Sequence, residues 1–451
     1  MPKESTTGKL GHFIRAFLGL SILTGAFSFS YLAAPNLVAT LYVAAKGDVS
    51  DIIPTEEKLD TSKLPIHIAT PEHVRGIYMT QCVVGTPDFR QKLVDIAEKT
   101  EINTIVIDIK DYSGKIAFPS DDPALAPSVS DKCGAVDMKE FVRSLNEKGI
   151  YVVGRITVFQ DPYYTEAHPE LAVKKASATS TLWSDYKGLH FIDAGAKPFW
   201  DYIVTLSKAS FALGFDELNF DYIRFPSDGN MKDIYYPYSE AKVNADADNG
   251  KAEVVESFFE YLNEQLHGFT VTSVTPDGEI VEASPATSAD LFGMTTTNTD
   301  DLNIGQQLEK ALPYFDFVAP MTYPSHYPKG FNGWSDPNEH IYDVVRFSMD
   351  EAVKRTLATT TSVKALTETR LGTSTPAVYE KPAYDIYKIR PWIQDFDYGG
   401  NYDIPEVKAQ IQAAYDAGLN SWVLWSPSNI YTTGALLPEK ISGTSTEDID
   451  Q

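Results

Sequence analysis

Cysteine is nearly absent. Cys82 and Cys133 are the only two in 451 residues, too few for a cysteine zinc cage or a disulfide-dense scaffold. Both fall after predicted strands on one face of the fold, which leaves one bridge or two buried free thiols as the open readings. Histidine is scarce as well, with eight in the chain and none spaced as a metal pair, so no metal site is expected. The patterns G-x-x-x-x-G-K-[ST], G-x-G-x-x-G after a strand, H-E-x-x-H and G-x-S-x-G do not occur. Their absence removes the anchors of phosphate-cradling, dinucleotide, zinc-protease and nucleophile-elbow chemistry, and no cofactor is expected. Basic charge is in deficit, 38 Lys and Arg against 62 Asp and Glu for a net −24. A phosphate backbone is repelled, so nucleic acid is not an expected partner.

What is abundant points to a packed body. Hydrophobic residues make up 43% and aromatics 12% of the chain, with 25 Tyr and 23 Phe, more than a disordered chain carries. One long uncharged run extends from Ala16 to Ala45 behind Lys3, Lys9 and Arg15. Its most apolar part, Ala16 to Ala34, matches a bilayer-spanning helix and exceeds the usual secretory apolar region. It is read as a signal anchor, with residues 1–15 cytoplasmic, 16–45 in the membrane and the remainder outside. Cleavage after small residues such as Ala33, Ala34, Ala44 or Ala45, giving a secreted protein, is the alternative. Residues 46–70, polar and carrying Pro54 and Pro65, read as a linker, and the Ser, Thr and acid-rich residues 439–451 as a disordered tail.

Between them, residues 71–438 alternate short apolar runs with amphipathic stretches, the pattern of βα units around a parallel sheet. Predicted strands lie at 76–80, 104–110, 151–158, 217–221, 289–295, 317–322, 389–394 and 421–425. Helices are predicted near 88–99, 137–148, 198–213, 252–266, 304–312, 341–356 and 404–417. Eight such units make one (β/α)8 TIM barrel. The connections after the strands are long and those before them short, which puts a deep cleft on the face where barrel enzymes work.

The candidate chemistry collects at the strand ends. Gly214-Phe-Asp-Glu-Leu-Asn-Phe-Asp-Tyr-Ile-Arg-Phe-Pro226 reads as a strand with Asn219 and Asp221 at period two, ended by Pro226. Asp221 is the leading catalytic carboxylate, and a structural ion pair with Arg224 is the bland reading. In strand two the same period turns Val106, Asp108 and Lys110 inward, where charges demand partners or a ligand. A mutual Asp108–Lys110 pair is equally open. Arg155 of strand three reaches across to Asp221 or Asp108 and would keep a carboxylate ionised. Asp290, placed early in strand five, reads chiefly as a strand-start residue.

The remaining strand ends supply binding groups. Tyr323 and His326 overhang the mouth, Gln394 and Asp395 end strand seven, and Trp392 and Trp425 offer faces on which a sugar could stack. A loop hydrogen bond for the histidine and core lids for the tryptophans are the competing readings. Glycosidic cleavage needs two carboxyl groups; with Asp221 first, the partner is Asp108, Asp395 or Asp290.

Five segments carry a resemblance: Val74-Arg-Gly-Ile-Tyr78, Ile107-Asp-Ile-Lys-Asp111, Phe215 to Asp228, Ala319-Pro-Met-Thr-Tyr-Pro-Ser-His-Tyr327 and Arg390-Pro-Trp-Ile-Gln-Asp395. Over about Pro71 to Tyr431 the chain resembles the bacterial glycosyl hydrolase family of (β/α)8 proteins related to hydrolase-ten-like and amylase-type barrels. The resemblance implies a carbohydrate substrate and Asp221 as the matching strand-four carboxylate. Strand five departs from the amylase pattern, with Asp290-Leu-Phe-Gly293 in place of a strand-end Glu. The expectation is therefore an extracytoplasmic, membrane-anchored glycoside hydrolase, and the rival is a non-catalytic glycan-binding barrel tethered to the envelope.

Overall fold

The computed structural model describes residues 60–364 and 369–438. The expected cytoplasmic terminus, membrane segment and tail lie outside the described residues. Among the described residues no helix is long and apolar enough to cross a membrane.

Alternation of side chains along each strand builds the sheet. In β2 (Thr104–Lys110), Ile105, Ile107 and Ile109 join the layer between sheet and helices, while Val106 packs inside the ring. The other strands are β1 (Arg75–Met79), β3 (Tyr151–Thr157), β4 (Glu217–Asp221), β5 (Ala286–Phe292), β6 (Phe317–Met321), β7 (Trp392–Gln394) and β8 (Trp422–Trp425). All eight pair in parallel and close into a barrel, with β1 set between β8 and β2.

Among the described residues the helices that follow its strands are α1 (Pro87–Lys99), α2 (Met138–Glu147), α3 (Lys197–Leu213), α4 (Gly250–His267), the single turn α5 (Leu308–Ala311), α6 (Ile341–Leu357) and α7 (Ile404–Asp416). Helix α2 buries Met138, Phe141, Val142 and Leu145, the i, i+3, i+4, i+7 stripe of a helix lying on a sheet. Helix α7 starts from a capping box between Asp403 and Glu406. Gly214, at φ +129°, stops α3 and turns the chain into β4.

The lower end of the barrel is sealed by polar side chains. Arg390 donates to Glu217 Oε2 at 2.8 Å, and the Tyr151 hydroxyl donates to the same oxygen at 3.0 Å. The mouth is built differently, from the loops after β2, β3, β4 and β6. The β3–α3 loop carries a hairpin of Lys174–Lys175 and Ala178–Leu182. A disulfide joins Cys82, after β1, to Cys133, after β2, which resolves the open reading in favour of pairing.

The helix expected over 304–312 is only the turn Leu308–Ala311, β7 starts at Trp392 rather than 389, and further features differ from expectation. Strand β5 begins three residues earlier than its predicted start at 289. Two connections before strands are not short: an antiparallel hairpin, Val271–Val274 with Ile280–Ala283, precedes β5, and a small sheet of Thr360–Thr361, Arg370–Leu371 and Val378–Glu380 precedes β7. Part of the expected linker is ordered against the barrel body, because His67 N–H donates to Val274 O at 3.1 Å and Ile68 N–H to Asp216 Oδ1 at 2.9 Å.

The Glu217–Arg390 pair gives the first test. Removing the acid strands a buried guanidinium, so Glu217→Leu should lower stability by about 3–5 kcal/mol. Urea unfolding at neutral pH measures it, and a loss below about 1 kcal/mol, the size of a surface pair, would show that the base does not depend on this pair.

Candidate active site

Arg155 of β3 stands at the centre of the mouth. Its Nη1 donates to Asp108 Oδ1 at 2.6 Å, its Nη2 pairs with Asp221 Oδ2, and its Nε lies 3.7 Å from Asp290 Oδ2. Strand register explains the convergence: Asp108 pairs across to Arg155, and Arg155 to Asn219, two residues before Asp221. Nη2 and Nε form one edge of the guanidinium, so Asp221 and Asp290 are neighbours along that edge. Asp108 holds the far side, with the Tyr78 hydroxyl donating to its Oδ2.

The two neighbouring acids differ in their surroundings. Asp290 is 1% exposed, and its Oδ1 accepts from Asn219 Nδ2 at 2.8 Å and Trp392 Nε1 at 2.7 Å. Burial, with the charge of Asp221 beside it, pushes its carboxyl up to about 8 despite the opposing pull of Arg155 and those two donors. Burial and the neighbouring acid thus favour its protonated form. Asp221 keeps Arg155 on Oδ2 and accepts from its neighbour's backbone, Tyr222 N–H, on Oδ1 at 2.6 Å. Burial also raises Asp108, to about 6, against the lowering effect of Arg155 and Tyr78.

Just after Asp221 the chain takes a costly conformation. Tyr222 has φ +53°, the left-handed region that bulky residues avoid. Such strain concentrates at functional positions. Here it turns the chain sharply where β4 ends, and Tyr222 and Arg224 line the open space above.

Asp221 and Asp290 face a hollow of about 240 Å³, walled by Tyr323, His326, Trp392 and Trp425. The walls are fixed by ring contacts. Trp425 stacks on Tyr78 with centroids 4.1 Å apart, and Trp392 meets Trp425 edge-on at 5.6 Å. Burial holds the Tyr323 phenol well above its ordinary range, so it remains an O–H donor. Ser325 Oγ lies 2.9 Å from His326 Nδ1.

The structure thus gathers Asp221, Asp108, Arg155, Arg224, Tyr323, His326, Trp392 and Trp425 at one mouth. Arg224 does not pair with Asp221; it bonds Phe225 O at 3.0 Å and Ser227 Oγ at 3.2 Å. Three residues expected at the mouth lie elsewhere. A register shift after Asp108 breaks the period of two, so Lys110 points outward, 2.9 Å from Asp161 Oδ2 and under the ring of Phe199. Asp395 follows the end of β7, and its two oxygens accept from Thr432 N–H at 2.9 Å and Thr432 Oγ1 at 2.6 Å, tying down the last segment. Gln394 holds a loop, accepting from Ser325 Oγ at 2.8 Å and donating to Phe396 O at 2.9 Å. Asp290, read as a strand-start residue, is the fifth residue of a seven-residue strand and opens into the hollow. Tyr78 escaped the sequence reading, although the alternation used for β2 and β4, applied to β1, turns it inward.

Facing carboxyl groups between aromatic walls, at the C-terminal mouth of a (β/α)8 barrel, form the type of site found in glycoside hydrolases. The chain belongs to the family described as "Putative glycosyl hydrolase domain", whose sequence model matches residues 76–431. No curated protein matches the chain. Among solved structures it is similar to a hypothetical protein from Ruminiclostridium thermocellum, with 32% identity, 44% of this chain and 95% of that one covered, and a TM-score of 0.37. It is also similar to the PgaB (BpsB) glycoside hydrolase domain from Bordetella bronchiseptica, with 12% identity, 83% and 99% covered, and a TM-score of 0.48. The glycoside hydrolase domain of PelA from Pseudomonas aeruginosa matches with 11% identity, 82% and 98% covered, and a TM-score of 0.39.

The Asp290 environment predicts a pH signature. In the folded protein the group keeps its proton up to about pH 8, against 3.8 for the ordinary carboxyl. Its stabilising contribution is full below the lower value and is lost as pH rises through the upper one. Asp290→Asn, which cannot ionise, should flatten the fall in melting temperature expected for the unmodified protein between pH 6 and pH 9, to within about 1 °C per pH unit. Parallel slopes for the two proteins would place the titrating group elsewhere.

Proposed function

We propose that the chain is an extracytoplasmic glycoside hydrolase that cleaves a polysaccharide with Asp221 as nucleophile and Asp290 as proton donor. The observation that carries the reading is the unlike pair on one guanidinium edge, one acid ion-paired with arginine, the other more deeply buried, farther from the arginine and pushed toward its protonated form. Asp290 gives the Oδ2 proton to the glycosidic oxygen while Asp221 attacks the anomeric carbon. Asp290, now ionised, then takes a proton from the water that releases the sugar. Carboxyls sharing one edge suit the short spacing of retaining enzymes, about 5–5.5 Å, over the roughly 6.5–9.5 Å that leaves room for a water in inverting ones. Arg155 ion-pairs with Asp221, and Asp108 with Tyr78 steadies Arg155. Arg224, Tyr323, His326, Trp392 and Trp425 are the groups that would bind the sugar.

Asp221→Asn should reduce kcat/KM by at least about 10³-fold with little change in melting temperature. Asp290→Asn should cost about 10²–10⁴-fold on a natural glycoside, and far less on an aryl glycoside whose leaving group needs no proton. Proton NMR of the first product should show retained anomeric configuration; inversion would remove Asp221 from the nucleophile's role. A barrel that only holds glycan would bind oligosaccharides and release nothing.

Two observations support a location outside the cytoplasm and an N-terminal anchor. The Cys82–Cys133 bridge belongs to oxidising compartments, and the uncharged run from Ala16 to Ala45 follows basic residues. Protease added to intact cells expressing the full chain should degrade the barrel; survival until lysis would place it inside.

A further inference from the structure

The pairing of β1 with β8 ends at Ile77 and Leu424. Beyond it, the loop after β8 grips the end of β1 through two side chains. The Tyr431 hydroxyl accepts from Tyr78 N–H at 2.8 Å and donates to Tyr78 O. Asn429 Nδ2 donates to the same carbonyl at 3.1 Å, and Asn429 Oδ1 accepts from Thr80 N–H at 3.0 Å and Thr80 Oγ1 at 2.9 Å. We propose that Asn429 and Tyr431 are positioning residues of the active site: by fixing the Tyr78 backbone they keep its hydroxyl on Asp108, and through Asp108 they hold Arg155 against Asp221. The role of Asp221 at the end of this chain of contacts rests on the glycosidase reading; the contacts themselves do not.

The grip leaves little freedom. Asn429 is 2% exposed and sits at φ +56°, a left-handed conformation that asparagine tolerates. Its Nδ2 also donates to Ser426 O at 3.1 Å, so acceptor and donors are engaged at once and the carboxamide has one orientation. The far end of the loop is anchored by Thr432 on Asp395, so the loop cannot slide along β1. Tyrosine has only two side-chain torsions. With its backbone clamped and its ring stacked on Trp425, the Tyr78 hydroxyl has one place to be. The guanidinium carbon of Arg155 lies 5.7 Å from the centre of the Tyr78 ring and 5.2 Å from that of Trp425. A shift of Tyr78 therefore reaches Arg155 through the ring as well as through Asp108. Neither Asn429 nor Tyr431 lines the hollow that the acids face, so any effect of theirs on the reaction must pass through Tyr78.

A double-mutant cycle in the full-length protein tests this, with nitrophenyl glycosides of glucose, galactose, glucosamine and N-acetylglucosamine as probes. Tyr431→Phe, which keeps the ring, and Asn429→Gly, which keeps the left-handed backbone, should each lower kcat about ten-fold and change KM less than about two-fold. In a Tyr78→Phe background either change should cost less than about two-fold more, because its route to the acids is already cut. Equal losses with and without the Tyr78 hydroxyl, or a loss confined to KM, would overturn the proposal. Crystal structures of the same folded variants need no substrate: Tyr78 Oη should move beyond the hydrogen-bond limit of about 3.0 Å from Asp108 Oδ2, and a hydroxyl that stays in place would also overturn it. If Tyr78 moves while the unmodified protein releases nothing from these glycosides or from polysaccharides of the chitin, chitosan, cellulose and starch types, the positioning role stands and the hydrolase reading falls. Turnover by the unmodified protein with an unmoved Tyr78 hydroxyl in the variants would do the reverse.

Discussion

One guanidinium surrounded by three carboxyl groups organises this molecule. Arg155 could not sit inside the barrel without partners, and Asp108 and Asp221 are the two acids that pair with it most closely. One cation cannot satisfy three anions, so one acid must keep its proton. It is Asp290, the most buried of the three, which also lies at the longest distance from the arginine. The protonation pattern therefore follows from charge balance and burial.

The two ends of the barrel spend polar groups differently. At the base, Glu217, Arg390, Tyr151 and Thr70 close on one another, with the Tyr151 hydroxyl 2.9 Å from Thr70 Oγ1. That network has little capacity left for a ligand. At the mouth, Arg155 pairs with Asp108 and Asp221, whereas Thr157 Oγ1 has no hydrogen-bond partner among the described residues. A satisfied polar network holds a fold; an unsatisfied one awaits something. The disulfide between Cys82 and Cys133 fastens the loops after β1 and β2 at the same mouth, where long connections most need a tie.

Much of this was legible in the residues themselves. β2 and β4 fall at their predicted limits, since runs such as Thr-Ile-Val-Ile-Asp-Ile-Lys are long, β-branched and strictly alternating. Asp108, Arg155 and Asp221 follow directly from that alternation. The errors share a cause, which is that local pattern does not record where alternation breaks. The register shift after Asp108 turned Lys110 outward, and nothing in the identity of Ile109 announces it. The start of β5, Ala286-Thr-Ser-Ala, is small and polar because Ser288 faces Asn219 inside the ring, at 3.0 Å from its Nδ2. Such residues read as loop, and the strand was set too late, leaving Asp290 at its beginning. Strand β7 ends at Gln394, so Asp395 belongs to the following turn.

The strained turn at Tyr222 connects these threads. A strand that ran on past Asp221 would carry its next side chain outward and its next inward one higher up, away from Arg155. Instead the chain turns at once, with Tyr222 at φ +53°, and its N–H fixes Asp221 Oδ1 while Arg155 fixes Oδ2. A carboxylate held at both oxygens has little rotational freedom. The same turn places the Tyr222 and Arg224 side chains in the wall of the hollow that the acids face. Backbone strain, carboxylate orientation and the shape of the cleft are thus three consequences of one residue's conformation, and relaxing it would loosen all of them together.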